Sequence, residues 1–133
     1  MFDLRHEIVK RNDKIVKLIV EENGKTTPDA NGDVFRGLEV VEHACGLSHI
    51  AMGDHFNNVA NNVDTYSMRY PVGVIGAITP FNFPAMVPLW MFPFAITAGN
   101  TMVMKPTERA PGALLELMKI VKDIGIPNGV NNN

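Results

Sequence analysis

The chain has 133 residues, of which 46% are hydrophobic and 20% charged, a composition typical of a globular domain and not of a disordered segment. Twelve basic and fourteen acidic side chains give a net charge of -2, and no basic run is long enough to neutralise a line of phosphates, so nucleic acid is not an expected partner. The single cysteine, Cys45, excludes an internal disulfide and favours a reducing compartment.

The first segment predicts an amphipathic helix that ends at Asn23–Gly24. Leu4, Ile8, Ile15 and Ile19 recur on one helical face. The acidic side chains within the first ten residues are unlike a signal peptide or an Arg-rich transit peptide, so no targeting peptide is visible.

Residues 24–32 have a loop composition, and a second helix is predicted after them. Val34, Leu38, Val41 and Cys45 align on one face of that helix. The two predicted helices should pack together as a helical pair.

Polar residues return at 57–62, and residues 63–70 read as an extended connector or edge strand that Pro71 closes. No charged side chain then occurs between Arg69 and Lys105. A membrane span needs about 20 predominantly apolar residues. The prolines and glycines that interrupt this stretch argue against one, because their freed backbone groups would lack partners in lipid.

The uncharged stretch and the residues after it predict strand, helix, strand, helix at 72–78, 84–98, 101–104 and 111–124. Strands that are apolar at successive positions favour a parallel sheet covered on both faces. The fold class is therefore α/β, an amino-terminal helical pair followed by the first β-α-β-α of a Rossmann-like doubly wound parallel sheet. The predicted divisions are a helical segment at 1–62, a connector at 63–71, a partial nucleotide-binding domain at 72–130 and an asparagine tail at 131–133.

Two polar turns follow the two predicted strands, at residues 79–84 and 105–108, and should face one crevice. Asn82 in the first turn suits a helix N-cap, or an amide that stabilises a developing oxyanion. Lys105 and Glu108 in the second suit a surface ion pair, or a pair that binds the hydroxyls of a nucleotide ribose, where the carboxylate would favour NAD over NADP.

Four residues that lie close together in sequence could suggest a zinc site: His43, Cys45, His49 and His55. Their spacings match none of the common zinc motifs, and Cys45 on an apolar helix face is typical of a buried, inert thiol. No metal is expected.

The two turns, TPFNFP and KPTE, closely resemble the T-P-[FW]-N-[FY]-P and K-P-[ST]-E turns of the aldehyde dehydrogenase superfamily. GDVFRGLEVVEHACG at 32–46 and PAMVPLWMFPFAITAGN at 84–100 resemble its methylmalonate-semialdehyde dehydrogenase branch. The resemblance covers nearly the whole chain. Because the superfamily does not use G-x-G-x-x-G, Gly73 and Gly76 are not assigned to that motif.

The resemblance implies a role for particular residues. Asn82 would stabilise the oxyanion, and Arg36 would hold the substrate carboxylate, unless it is an ordinary surface arginine beside Glu39. The residues that would bind the cofactor are Ile78, Thr79, Pro80, Phe81, Lys105 and Glu108.

The implied reaction is NAD-dependent oxidation of methylmalonate or malonate semialdehyde to an acyl-CoA with loss of carbon dioxide, a step of valine and pyrimidine catabolism with CoA as co-substrate. The resemblance implies a homotetramer, mitochondrial in a eukaryote and otherwise cytoplasmic. It also implies a nucleophilic cysteine downstream of the K-P-[ST]-E turn, and the resemblance stops at residues 128–130. We therefore expect this chain to be the amino-terminal part of such an enzyme and to be inactive on its own. The alternative is a non-catalytic truncated product that at most binds nucleotide or a full-length subunit.

Overall fold

The computed structural model describes residues 1–132, which form six helices and five strands. The helices are α1 (Phe2–Lys10), α2 (Asn12–Asn23), α3 (Thr27–Cys45), α4 (Leu47–Ile50), α5 (Met86–Thr97) and α6 (Gly112–Asp123). The strands are β1 (His55–Ala60), β2 (Val63–Tyr66), β3 (Val74–Ile78), β4 (Thr101–Lys105) and β5 (Asn131–Asn132). None of the helices in this part of the chain is long and apolar enough to span a membrane.

The first predicted helix is present as two, because the chain leaves helical geometry at Arg11 (φ -101°, ψ 12°). The predicted apolar face is nevertheless confirmed, since Leu4, Ile8, Ile15 and Ile19 are all 0% exposed. Gly24 ends α2 in the left-handed conformation (φ 78°), as expected for a glycine at that position.

The loop predicted at 24–32 is wrong from residue 27 onward, because α3 already begins at Thr27. Thr26 caps the helix by accepting a hydrogen bond from the Asp29 amide at 3.3 Å, and a proline stands in the first turn. Cys45 is the last residue of α3 and is only partly buried, in contrast to the fully buried thiol that we expected.

Residues 63–66 of the predicted connector or edge strand form β2, which pairs with β1 in an antiparallel hairpin, with His55 opposite Tyr66 and Phe56 opposite Thr65. Every residue of both strands is exposed. Asn58 and Asn62 take positive φ angles of 53° and 59°. Asparagine tolerates that conformation better than most residues, so a polar run that resembled a loop forms part of a hairpin.

The predicted strand, helix, strand unit is confirmed. β3 and β4 are parallel and in register from Val74 opposite Thr101 to Ile78 opposite Lys105. Residues 131–132, predicted only as a tail, form β5, which pairs in parallel with β4, so the order is β3-β4-β5.

The sheet is covered on one face within the described residues, not on both as predicted. Met102 and Met104 of β4 are buried at 2% and 0% exposure, whereas Val103 between them is 52% exposed. Right-handed crossovers that advance along a sheet in one direction place both helices on the same side. The core therefore lies between the sheet and helices α5 and α6, with α1 to α3 packed against those two helices.

Candidate functional site

The two polar turns lie side by side at the carboxyl ends of β3 and β4. The backbone amide of Thr79 donates to the carbonyl of Lys105 at 3.2 Å, directly after the pair that Ile78 forms with Lys105. The Thr79 hydroxyl also approaches that carbonyl at 3.4 Å, and its side chain is 5% exposed. A buried threonine thus joins the two turns at this edge of the sheet.

Lys105 and Glu108 form an ion pair in the second turn, with 3.3 Å between Nζ and Oε2. Their side chains are 61% and 81% exposed, so the pair itself contributes little to stability. A hydrogen bond from its own backbone amide, together with the hydrogen bond and positive charge of Lys105, lowers the pKa of the Glu108 carboxyl. The turn thus presents an ionised carboxylate and an ammonium to a ligand.

Asn82 lies exposed in the first turn, and its side chain makes no hydrogen bond within residues 1–132. It is not the N-cap of α5, which begins four residues later with Ala85 at the capping position. The amide of Met86 instead donates to Asp33 Oδ1 at 2.7 Å. The capping interpretation of Asn82 is therefore wrong, and its amide is available to a ligand.

The predicted cofactor contacts of the first turn directly precede Asn82 in the chain. Ile78 is 76% and Phe81 47% exposed, and Pro80 between them is also exposed. The Arg109 guanidinium lies 5.0 Å from the centre of the Phe81 ring. Exposed apolar side chains therefore occupy the chain between the end of β3 and Asn82, and the positively charged Arg109 lies beside the last of them.

Arg36 is exposed on α3, and its Nη1 donates to the Gly32 carbonyl of the same helix at 3.4 Å. Within residues 1–132 it forms no hydrogen bond or ion pair with either turn, and none with Glu39. The structure therefore does not join Arg36 to the other candidate residues.

Sequence reasoning missed three residues that support the first turn. Asn23 Nδ2 donates to the Phe81 carbonyl at 2.6 Å, and Lys25 Nζ lies 2.8 Å from Asp33 Oδ2. A local signal existed only for Asp33, because it falls on the apolar face of α3 beside Val34. An acidic residue at such a position is almost never fully buried unless it is paired.

Within the described residues, no group of three or more histidine, cysteine or acidic side chains is arranged to hold a metal ion. The ring of His43, one of the residues weighed for zinc, packs against Phe94 with 5.4 Å between ring centres.

Comparison with known proteins gives a family match over the whole chain. Residues 1–133 match the model described as "Aldehyde dehydrogenase family". The mitochondrial methylmalonate-semialdehyde dehydrogenase [acylating] of Arabidopsis thaliana is 54% identical over 127 residues, which cover 95% of this chain and 21% of that protein. The chain therefore spans about a fifth of the length of this curated relative.

Solved structures give the same result. The methylmalonate-semialdehyde dehydrogenase of Oceanimonas doudoroffii superposes with a TM-score of 0.94 at 44% identity, over 100% of this chain and 28% of that one. A Sinorhizobium meliloti protein whose structure contains NAD superposes with a TM-score of 0.92 at 37% identity, over 99% of this chain and 28% of that one.

Proposed function

Because this chain belongs to the aldehyde dehydrogenase family, we propose that it builds one side of the active site of an NAD-dependent, CoA-acylating methylmalonate/malonate-semialdehyde dehydrogenase. The observation that carries this proposal is the contact between the two turns, 3.2 Å from the Thr79 amide to the Lys105 carbonyl. That contact brings an oxyanion donor and a ribose-binding pair to one edge of one sheet, where ligands of parallel sheets bind.

The second turn fits the adenosine ribose of NAD. Glu108 accepts from the ribose hydroxyls and Lys105 donates to them, while the ionised carboxylate repels a 2′-phosphate and so favours NAD over NADP. Ile78, Thr79, Pro80 and Phe81 contribute apolar and backbone contacts to the cofactor. NAD supplies the hydride acceptor of the reaction. The Sinorhizobium meliloti neighbour, whose structure contains NAD, supports NAD as the cofactor.

Asn82 is assigned to the oxyanion. An amide on a turn fixed at both ends can donate to the oxygen that gains charge when a thiolate attacks the aldehyde. Such a donor is worth about 10²- to 10³-fold in kcat. Arg36 is assigned to binding the substrate carboxylate. This assignment requires that the bound substrate extend from the first turn to α3.

The acylating step requires a nucleophilic thiol and CoA. We do not assign the nucleophile to Cys45, because it is the partly buried last residue of α3, and within residues 1–132 no hydrogen bond joins it to either turn. The name of the Arabidopsis relative supports the mitochondrion as the compartment in a eukaryote. A homotetramer is the assembly that we propose for the whole enzyme.

A chimera tests the proposal, in which this chain replaces the matched 127 residues of the Arabidopsis relative. We expect NADH formation from methylmalonate semialdehyde and CoA, and a loss of about 10²- to 10³-fold in kcat when Asn82 becomes Ala. Asn128→Ala is the matched control, since Asn128 is exposed and precedes β5 at the opposite end of the sheet. An unchanged kcat in the Asn82 variant would remove that residue from the site.

The 133-residue chain alone is expected to form no NADH under the same conditions. Cys45→Ser is the informative variant. If the chain alone did form NADH and this substitution abolished that activity, Cys45 would be the nucleophile. A chain that binds NAD without turnover fits the proposal, and a chimera without turnover would favour the non-catalytic alternative.

A further inference from the structure

A buried ion pair outside the sheet holds the amino terminus of α5. Asp33 is 0% exposed, and its Oδ1 accepts the Met86 amide at 2.7 Å while its Oδ2 accepts Lys25 Nζ at 2.8 Å. Met86 is the first residue of α5, whose own N-cap residue, Ala85, provides no side-chain cap. A carboxylate is the acceptor that a helix amino terminus favours, so Asp33 caps this helix from a distance of 53 residues in sequence.

The same amino-terminal segment fixes the first turn on both sides of Asn82. Asn23 Nδ2 donates to the Phe81 carbonyl at 2.6 Å. The Lys25 ammonium, whose side chain is 16% exposed, lies 4.1 Å from the centre of the Phe83 ring. Both aromatic residues are immediate neighbours of Asn82, so contacts from α2, α3 and the segment between them hold the backbone that carries its amide.

Since no hydrogen bond within residues 1–132 orients the Asn82 side chain itself, its direction depends on this backbone. A displacement of about 1 Å at a reacting centre can cost about 10²-fold in rate. We propose that Asp33 and Lys25 are positioning residues, which hold Asn82 where it stabilises the oxyanion. The inference rests on the proposed function, and it extends the site to a pair that touches neither substrate nor cofactor.

A purely structural role for the pair makes a different prediction. If Asp33 only stabilised the packing of α3 on α5, its loss and the loss of Asn82 would lower kcat independently, and their effects would multiply. If Asp33 acts through Asn82, its loss has no further effect once Asn82 is absent. A double-mutant cycle measures this difference.

The cycle uses Asp33→Asn, Asn82→Ala and the double variant in the chimera, at saturating NAD and CoA. An asparagine at position 33 keeps an oxygen for the Met86 amide but loses the charge that pairs with Lys25. We expect kcat to fall about 10- to 100-fold in Asp33→Asn, with KM for NAD unchanged, and the double variant to match Asn82→Ala. Asp13→Asn, on the exposed first turn of α2, is the matched control and should leave kcat unchanged.

Lys25 provides an independent test if Asp33→Asn does not fold, as judged by circular dichroism. Lys25→Met removes the charge and should lower kcat only where Asn82 is present, whereas Lys25→Arg keeps a positive charge beside Asp33 and Phe83 and should lower kcat less than Lys25→Met does. Losses that multiply in the double variants would overturn the inference and leave the proposed function intact. An Asn82→Ala variant with unchanged kcat would overturn the inference and remove Asn82 from the site, whereas only a chimera without turnover would overturn the proposed function.

Discussion

A glycine in α3 sets how closely this helix approaches α5, and adding one methyl group there tests that contact. A Cβ placed on Gly37 would lie 2.5 Å from Cδ1 and 2.9 Å from Cβ of Leu89, a fully buried residue of α5. Rotation of the Leu89 side chain relieves the first contact but not the second, because Cβ is attached directly to the α5 backbone. Gly37→Ala therefore forces the two helices apart.

The expected cost follows from two opposing terms. Overpacking a buried contact costs about 1 to 3 kcal/mol, and distances below 3.0 Å point to the upper end. Alanine gains about 1 kcal/mol over glycine in a helix interior. We expect Gly37→Ala to lower the free energy of unfolding by about 2 kcal/mol, the difference between about 3 and about 1.

Gly32→Ala is the matched control in the same helix. A Cβ at Gly32 would meet only the flexible end of the Arg36 side chain, with Nη1 at 3.4 Å. The higher helix propensity of alanine is then almost the whole effect, so the free energy of unfolding of the variant should be higher than that of the parent by up to about 1 kcal/mol. Urea denaturation of the chain, followed by the fluorescence of Trp90 beside Leu89, measures both midpoints. A Gly37→Ala midpoint that rises together with that of Gly32→Ala would refute the proposed contact.

Three further predictions concern charged residues. Glu108→Gln in the chimera should weaken NAD binding and improve the relative binding of NADP; an unchanged ratio of the two dissociation constants would leave Glu108 as a surface residue. Arg36→Ala should lower kcat/KM for methylmalonate semialdehyde about 10- to 100-fold more than for propanal, the loss of one charge-assisted hydrogen bond, and equal losses would contradict its role. Burial raises the pKa of the Glu116 carboxyl, but the hydrogen bonds and charges of Lys14 and Lys119 outweigh it and the pKa is lowered, so Glu116→Gln should lower the free energy of unfolding by about 1.5 to 3 kcal/mol at neutral pH. This difference, measured by urea denaturation, should be full above the ordinary pKa of a glutamate and should decrease as the pH falls from there through the lowered pKa of the folded carboxylate, below which both states are protonated; a difference that stays constant as the pH falls would refute the charge-based explanation.

The sheet and its turns were predictable because their signals are local. Apolar runs interrupted by Gly99 and by prolines predict the strand, helix, strand order, and the rule for parallel strands predicts that residues 79–84 lie beside residues 105–108. The positions of Thr79 and Lys105, in contact at 3.2 Å, confirm that step.

The features that the sequence analysis missed depend on distant or backbone contacts. The hydrogen bond between the Met86 amide and Asp33 joins residues 53 positions apart, and no sequence pattern near Met86 predicts it. β5 pairs with β4 through backbone groups, so its asparagine side chains give no strand signal. β1, the first strand of the hairpin, was missed for a related reason, since asparagines with positive φ resemble a loop in composition.

Carboxylates of the amino-terminal helices occupy the amides at which a glycine-rich motif would place a pyrophosphate. In a G-x-G-x-x-G fold the glycines let a pyrophosphate approach the amino terminus of the first helix. Here the Met86 amide at the start of α5 donates to Asp33, and the Gly112 amide at the start of α6 donates to Glu22 Oε2 at 2.8 Å. A pyrophosphate at either position would meet a carboxylate in place of a free amide. The amino-terminal helices thus occupy the first amide of both crossover helices, and the cofactor contacts proposed for this chain lie instead on the turns that follow β3 and β4.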